Sequence, residues 1–402
     1  MLSPLTRRNL TLSYGYAACA FFGINTLWVI FLQQQGLSLV EIGLCESVFH
    51  LTSFLSEVPS GVIADRFGYR PVLIISRLMA IGHALIMLTA HSLGWLLLAF
   101  ILQAWAYNLQ SGTIEAAQYD SLVNTQATQH YPRVTTILNT TIEVADTLGV
   151  VLAGWLMPQH LSVTYWVYLA AALIAILAIS GLHVPQRQLT KTHSTQPSLR
   201  TILRAAAHLL VTQRRLRLLM IFDALFSALG TTYYYYFQTV MTAQHFSGRL
   251  ITTILIASMA LNIVAIQLTP WLQRHQTQHQ LLYGLCLSMI MALLSAFSHA
   301  IGLLVLIYLV INSLMALIEP LFSNYYNQLI PNGQRATLLS VASMVFSLAM
   351  ISAFPLIGWL IQRVGFAVTF GSCGLLTLIA LLSLYGYARR RARPALKTIT
   401  NH

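Results

Sequence analysis

Polar residues recur at helical spacing inside the apolar stretches of this chain, and these are the places where chemistry can occur. Asn139, Glu143, Asp146 and Gly149 fall at steps of four, three and three, which makes one polar stripe along a helix. Two carboxylates one turn apart repel each other and lose hydration together, so one of them can carry a proton near neutral pH. Such a group can load on one side of a membrane and unload on the other; hydrogen bonding between helices is the competing role. Glu46, His50, Ser53 and Glu57 form a second stripe. A carboxylate one turn from an imidazole is a proton-relay candidate, whereas simple packing is the ordinary use of a lone histidine. Asp223, Ser227, Gly230, Tyr234 and Gln238 share a third face, within which Tyr233 to Tyr236 are consecutive. Tyrosines supply apolar area, a hydroxyl and a face for cations, which suits a solute cavity, although an interfacial aromatic belt has the same composition.

These stripes need elements that keep them out of lipid. Only 8% of the 402 residues are charged while 57% are hydrophobic, against about 25% charged in an ordinary soluble domain. A mean hydropathy of +0.69 is far more than one anchor of about 20 residues gives to a chain of this size. Apolar runs near 12–33, 40–63, 71–90, 94–117, 135–157 and 162–183 are followed by a polar stretch, 185–217, and by further runs near 216–240, 249–270, 280–299, 301–323, 336–360 and 366–388. The expectation is an all-α polytopic membrane protein of twelve spans. The first run is too long for a signal peptide despite Arg7 and Arg8 before it. Cys19, Cys45, Cys286 and Cys373 lie inside apolar runs without metal-ligand spacing and read as small buried hydrophobes.

The formal charge of +12 is a question of placement. Alternating the loops between two sides leaves only Arg249 and Arg363, of 22 Lys and Arg, away from one face. The positive-inside rule makes that face cytoplasmic, with both termini there. The basic excess is then a topology label with some attraction to anionic headgroups, and no nucleic-acid partner is expected.

The chain also repeats. Glu115, Arg133-Val-Thr135 and Gly154-Trp155-Leu156 have counterparts in Glu319, Arg335-Ala-Thr337 and Gly358-Trp359-Leu360, offset by 204 residues. Two related six-helix halves with a path between them is a transporter architecture. The division is 1–184 for the first half, 185–215 for a linker with an amphipathic helix, 216–388 for the second half and 389–402 for a basic tail.

Between the second and third runs stands Gly61-Val-Ile-Ala-Asp65-Arg66-Phe-Gly68-Tyr69-Arg70, which resembles the signature loop of the major facilitator superfamily. Glu57-Val-Pro59-Ser-Gly61 and Ser111-Gly112-Thr113-Ile-Glu115-Ala-Ala-Gln-Tyr119-Asp120 resemble a bacterial branch of small twelve-helix members. The resemblance implies a twelve-helix fold in the plasma membrane and a latch role for Gly61, Asp65, Arg66, Gly68 and Arg70. Tyr69 departs from the pattern, where a second basic residue is common. The resemblance also places the first, fourth, seventh and tenth helices around the central path, which favours Asn25, Tyr107 and Asn312 as substrate contacts; Gln103, Asn108, Tyr234 and Gln238 on the fourth and seventh runs, and Asn139 on the polar stripe of the fifth, are the further cavity candidates. Asp146, Glu143, Glu46, His50 and Asp223 are the proton-coupling candidates. Glu57, Glu115, Asp120 and Glu319, near the basic face, read as latch or gating groups, the last three with Arg133 or Arg335 as salt-bridge partners.

The expected function is a secondary transporter working by alternating access, with proton-coupled export of small amphipathic or cationic compounds preferred because the cavity candidates are acidic and aromatic. The alternative is uptake or facilitated diffusion of a neutral metabolite such as a sugar, bound by Asn and Gln. A multispanning receptor or enzyme is remote, since no nucleophile–base set, metal motif or phosphate-binding glycine loop is present. The expected partners are the solute, protons and the bilayer, with the chain a monomer that uses no cofactor and no ATP.

Overall fold

The computed structural model describes residues 2–156, 161–183, 211–329 and 335–397. Among them are fourteen α-helices and two short 3-10 turns, and no strand. Ten helices are long and apolar enough to cross a bilayer. The fold class expected from the sequence is present. The stretch 185–210, with the expected amphipathic linker helix, lies outside the described residues.

The first and fourth expected spans are each interrupted. In place of one helix over 12–33 there are α1 (Pro4–Ala20) and α2 (Trp28–Gln34), separated by an irregular segment. In place of one over 94–117 there are α5 (Leu93–Gln110) and α6 (Thr113–Val123), separated at Ser111 and Gly112, where Gly112 has φ +75°. The physical cause of the first break is close packing. A Cβ on Gly23 would collide with the Asp146 carboxylate of α7 (Tyr131–Leu156), and one on Gly149 would collide with the Gly23 backbone. The broken segment and α7 therefore touch backbone to backbone, a contact that only glycine permits.

The remaining first-half helices are α3 (Leu39–Phe67), α4 (Tyr69–Thr89) and α8 (Ser162–Ser180). Ser38 and Glu41 close a capping box at the start of α3, with the Ser38 N–H donating to Glu41 at 2.8 Å. Gly68, at φ +85°, turns α3 into α4 within the signature loop. The second half contains α9 (Arg214–Ala243), α10 (Gly248–His275), α11 (Gln278–Ser295), α12 (Ile301–Leu329), α13 (Arg335–Val364) and α14 (Phe366–Lys397).

Two seams join the halves: α3 lies along α13, and α7 meets α10. At the end away from the basic loops these seams are tight. Gly43 of α3 faces the Pro355 backbone of α13, where an added Cβ would lie 2.6 Å from its Cα. The Ser47 hydroxyl is 2.7 Å from the Ile351 carbonyl of α13 and 2.9 Å from its own-helix Gly43 carbonyl. Pro355 has no N–H to give Ile351, four residues earlier, so that carbonyl is free for Ser47. The Tyr236 hydroxyl of α9 lies 3.1 Å from the Leu39 carbonyl and 2.9 Å from the Phe354 carbonyl, so its one proton can go to either. The repeat seen in sequence acquires a meaning here. A Cβ on Gly154 would strike the Thr252 hydroxyl of α10, and one on Gly358 would come within 2.5 to 2.6 Å of the Leu39 carbonyl and the Tyr236 hydroxyl. Each repeat glycine is thus a closest-approach point of its seam.

Asn108 shows how the first half is held together. Its amide donates to Ser56 Oγ at 2.7 Å and to the Ser53 carbonyl at 2.8 Å, and accepts from Ser53 Oγ at 2.9 Å. The side chain is buried, at 4% exposure. Asn108→Ala strands these α3 groups and is expected to cost about 1–3 kcal/mol, read as a lower unfolding midpoint in detergent with solute preference unchanged.

Candidate transport site

The α1–α2 break forms the floor of the site. The Thr26 hydroxyl lies 3.2 Å from the Tyr234 hydroxyl of α9, and Gln238 Nε2 donates to the Thr26 carbonyl at 3.0 Å. Trp28 packs at 5.3 Å from Tyr235 and at 6.3 Å from Phe354, so rings from three elements and both halves meet there. Tyr234 stacks on Tyr308 of α12 at 5.6 Å. Asn25 lies partly exposed in the break.

Asp146 sits against this floor, held beside Gly23, yet it is exposed, as are Asn139 and Glu143 on the same stripe. Tyr107 is 50% exposed although Glu57, Glu115 and Glu319, from α3, α6 and α12, all lie within electrostatic reach of its hydroxyl. Asp146, Glu143 and Tyr107 are thus accessible polar groups on the basic-loop side of the floor formed by Thr26, Trp28, Tyr234 and Tyr235, and the space beside them is termed the vestibule.

Glu46 and His50 form an ion-pair contact of 3.4 Å, and the imidazole lies edge-on to Phe346 across the α3–α13 seam at 5.5 Å. Glu46 of α3 and Asp146 of α7 both lie within electrostatic reach of Tyr235. Asp223 is engaged elsewhere: Tyr326 donates to it at 2.8 Å and Ser227 at 3.4 Å. Gln103 accepts from Tyr168 at 3.3 Å, and Asn312 Nδ2 donates to the Tyr308 carbonyl of its own helix at 2.7 Å.

The latch and gating candidates divide. Glu57, Glu115 and Glu319 gather around Tyr107. Asp120 accepts a 2.6 Å hydrogen bond from Tyr69, the residue that departs from the signature pattern, so α4 and α6 are tied there by a neutral donor. Glu46–His50 is the only ion pair among the described residues, and Arg133 is exposed. The expected Arg133 pairing with Glu115 or Asp120 is therefore not formed in this conformation. Arg66 and Arg70 are exposed and Gly61 is partly buried within α3, while the Asp65 and Arg335 side chains lie outside the described residues. Sequence reasoning did not single out Thr26, Trp28 or Tyr308, and carried Tyr235 only as a member of the Tyr233 to Tyr236 run. Gly23-Ile-Asn25-Thr26 inside an apolar run was the available cue, because such interruptions mark sites in transporter helices.

The sequence profile of the Major Facilitator Superfamily matches residues 10–353 and 263–401. The chain belongs to this superfamily. Comparison with curated proteins gives no match. Among solved structures, a mutant of nucleoside transporter NupG is similar at a TM-score of 0.74 and 18% identity, covering 94% of this chain and 100% of that one. A D-xylose-proton symporter matches at 0.63 and 16%, covering 93% and 95%. The human organic anion transporter MFSD10 (TETRAN) matches at 0.60 and 16%, covering 94% and 99%. At these identities the likeness shows the major facilitator fold, in which the interrupted first and fourth spans and the two seams of this chain are placed.

Proposed function

We propose that this superfamily member is a proton-coupled secondary transporter that works by alternating access in the plasma membrane. The observation that carries the reading is Asp146, a carboxylate open to the vestibule and packed on the interrupted first span where the path is closed. A protonatable group at that point changes side when the seams exchange their open and closed ends. By the positive-inside rule the basic end is cytoplasmic, so this conformation is the inward-facing one. Glu143 lies one turn nearer the mouth as a second proton acceptor, and Glu46 with His50 faces the same floor from α3.

Export of small amphipathic or cationic compounds draws support from the carboxylates and rings around the floor. Uptake of a neutral metabolite draws support from hydrogen-bonding groups at the same place, Asn25, Thr26 and Asn312, and from the nucleoside and xylose transporters among the structural neighbours. Purified protein in vesicles under an imposed pH gradient decides between them with uridine, D-xylose and tetraphenylphosphonium as probes. A moved solute is expected to change the internal pH; movement with constant internal pH would sink proton coupling. Transport of tetraphenylphosphonium alone selects the first reading, and of uridine or xylose alone the second.

A further inference from the structure

Arg77 of α4 has a place that the transport reading does not use. The side chain is 2% exposed. Its Nη1 donates to the Ala20 carbonyl at 3.3 Å, and its Nη2 donates to Ser76 Oγ at 3.0 Å and to Gln110 Oε1. The guanidinium lies 5.5 Å from the Tyr16 ring, and its Nε is buried without a partner. Among the described residues no carboxylate forms an ion pair with it. A buried cation without a counter-ion is costly, so what compensates it is informative. Ala20 and Gln110 are the final residues of α1 and α5, the two helices that stop inside the bundle. Helix carboxyl ends carry partial negative charge; the α1 end meets the guanidinium through the Ala20 carbonyl, and the last residue of α5 meets it through the Gln110 side-chain oxygen.

We propose that Arg77 is a positioning residue for transport, a planar fork that ties the broken ends of the first and fourth spans so that they move as one body. The proposal rests on the alternating-access reading above. The tie has two consequences. The floor segment that carries Asn25 and Thr26 follows directly after Ala20, and the Ser111-Gly112 break leading to Glu115 follows directly after Gln110. A shift of one break is therefore transmitted to the other. Lysine keeps the charge but lacks the fork that reaches both ends.

Two variants of the full chain in vesicles separate the tie from mere packing. Native Cys19 adjoins Ala20 and is partly buried, and Cys286 of α11, also partly buried, is a reference in the other half. In Arg77→Lys, N-ethylmaleimide labelling of Cys19 is expected to rise about tenfold through loss of charge-assisted hydrogen bonds, with Cys286 unchanged. In Gln110→Ala, Ala20 is still held, so Cys19 labelling stays at the wild-type rate. Transport of whichever probe the wild type moves falls in that variant by about the same tenfold factor, because α5 is no longer tied to the floor. Wild-type transport in Gln110→Ala, or unchanged Cys19 labelling in Arg77→Lys, overturns the proposal. If Arg77→Lys raises labelling of both cysteines, the half has lost its fold and the Gln110→Ala transport result decides. If the wild type moves none of the three probes, the transport reading loses its support while the Cys19 comparison still judges the tie.

Discussion

Asp146→Asn is expected to lower uphill transport under a pH gradient on the order of a hundredfold or more, while solute exchange without a gradient persists. The amide has the size and shape of the carboxyl group, so the packing against Gly23 is kept and the chain folds and inserts. What it loses is the ability to gain and release a proton, which only a gradient-driven cycle requires. Glu143→Gln, one turn nearer the vestibule mouth and away from the floor, is expected to have the smaller effect. Measuring driven uptake beside counterflow in the same vesicles separates the two functions, and full driven activity in Asp146→Asn would remove this residue from the coupling mechanism.

The second large effect is steric. Gly358→Val places a branched side chain where even a Cβ would lie within 2.5 to 2.6 Å of the Leu39 carbonyl and the Tyr236 hydroxyl. The neighbour on one side is backbone and cannot rotate away, so the α3–α13 seam cannot close at the end opposite the basic loops. Transport is expected to fall on the order of a hundredfold, with the population held in the conformation that is open at that end. The measurement is reaction of a cysteine introduced by Thr26→Cys, in a chain without the native cysteines, with an impermeant maleimide added on that side. Strong labelling in the valine variant and weak labelling in its parent is the expected pair. Weak labelling in both, with transport intact, would show that the glycine contact gates nothing. Gly154→Val tests the companion seam, where the obstruction is the Thr252 side chain; a rotating side chain can yield, so the effect there should be smaller.

Hydropathy carried most of the fold, because twelve apolar runs and a halving repeat are one-dimensional patterns. Continuity was the part it could not carry. The first and fourth runs are interrupted by packing of Gly149 and Asp146 against Gly23 and by a left-handed Gly112, and these depend on neighbours distant in the chain. The same limit applies to the site. Asn108 and Asp223 share helix faces with path residues, but Ser53 and Ser56 occupy one and Tyr326 the other. The tyrosine run is neither a belt nor a cavity wall throughout. Tyr233 and Tyr236 are fully buried and bond to backbone carbonyls, while Tyr234 and Tyr235 face the floor. Arg77 stands inside the apolar run 71–90, and its place at two helix termini depended on the breaks being known.

The Ser47 contact with Ile351 has a consequence for how this protein can be dissected. The acceptor is a main-chain carbonyl that Pro355 leaves without its usual N–H partner. Every side chain on that stretch of α13 except the proline can be exchanged without removing it. A residue-by-residue alanine survey of α13 would therefore register this bond between the two halves at Pro355 alone, and not at Ile351, whose carbonyl accepts it. The bond is otherwise visible only from the other helix of the seam, through Ser47, since a Pro355 replacement acts by restoring the helical N–H and drawing the carbonyl back into its own helix.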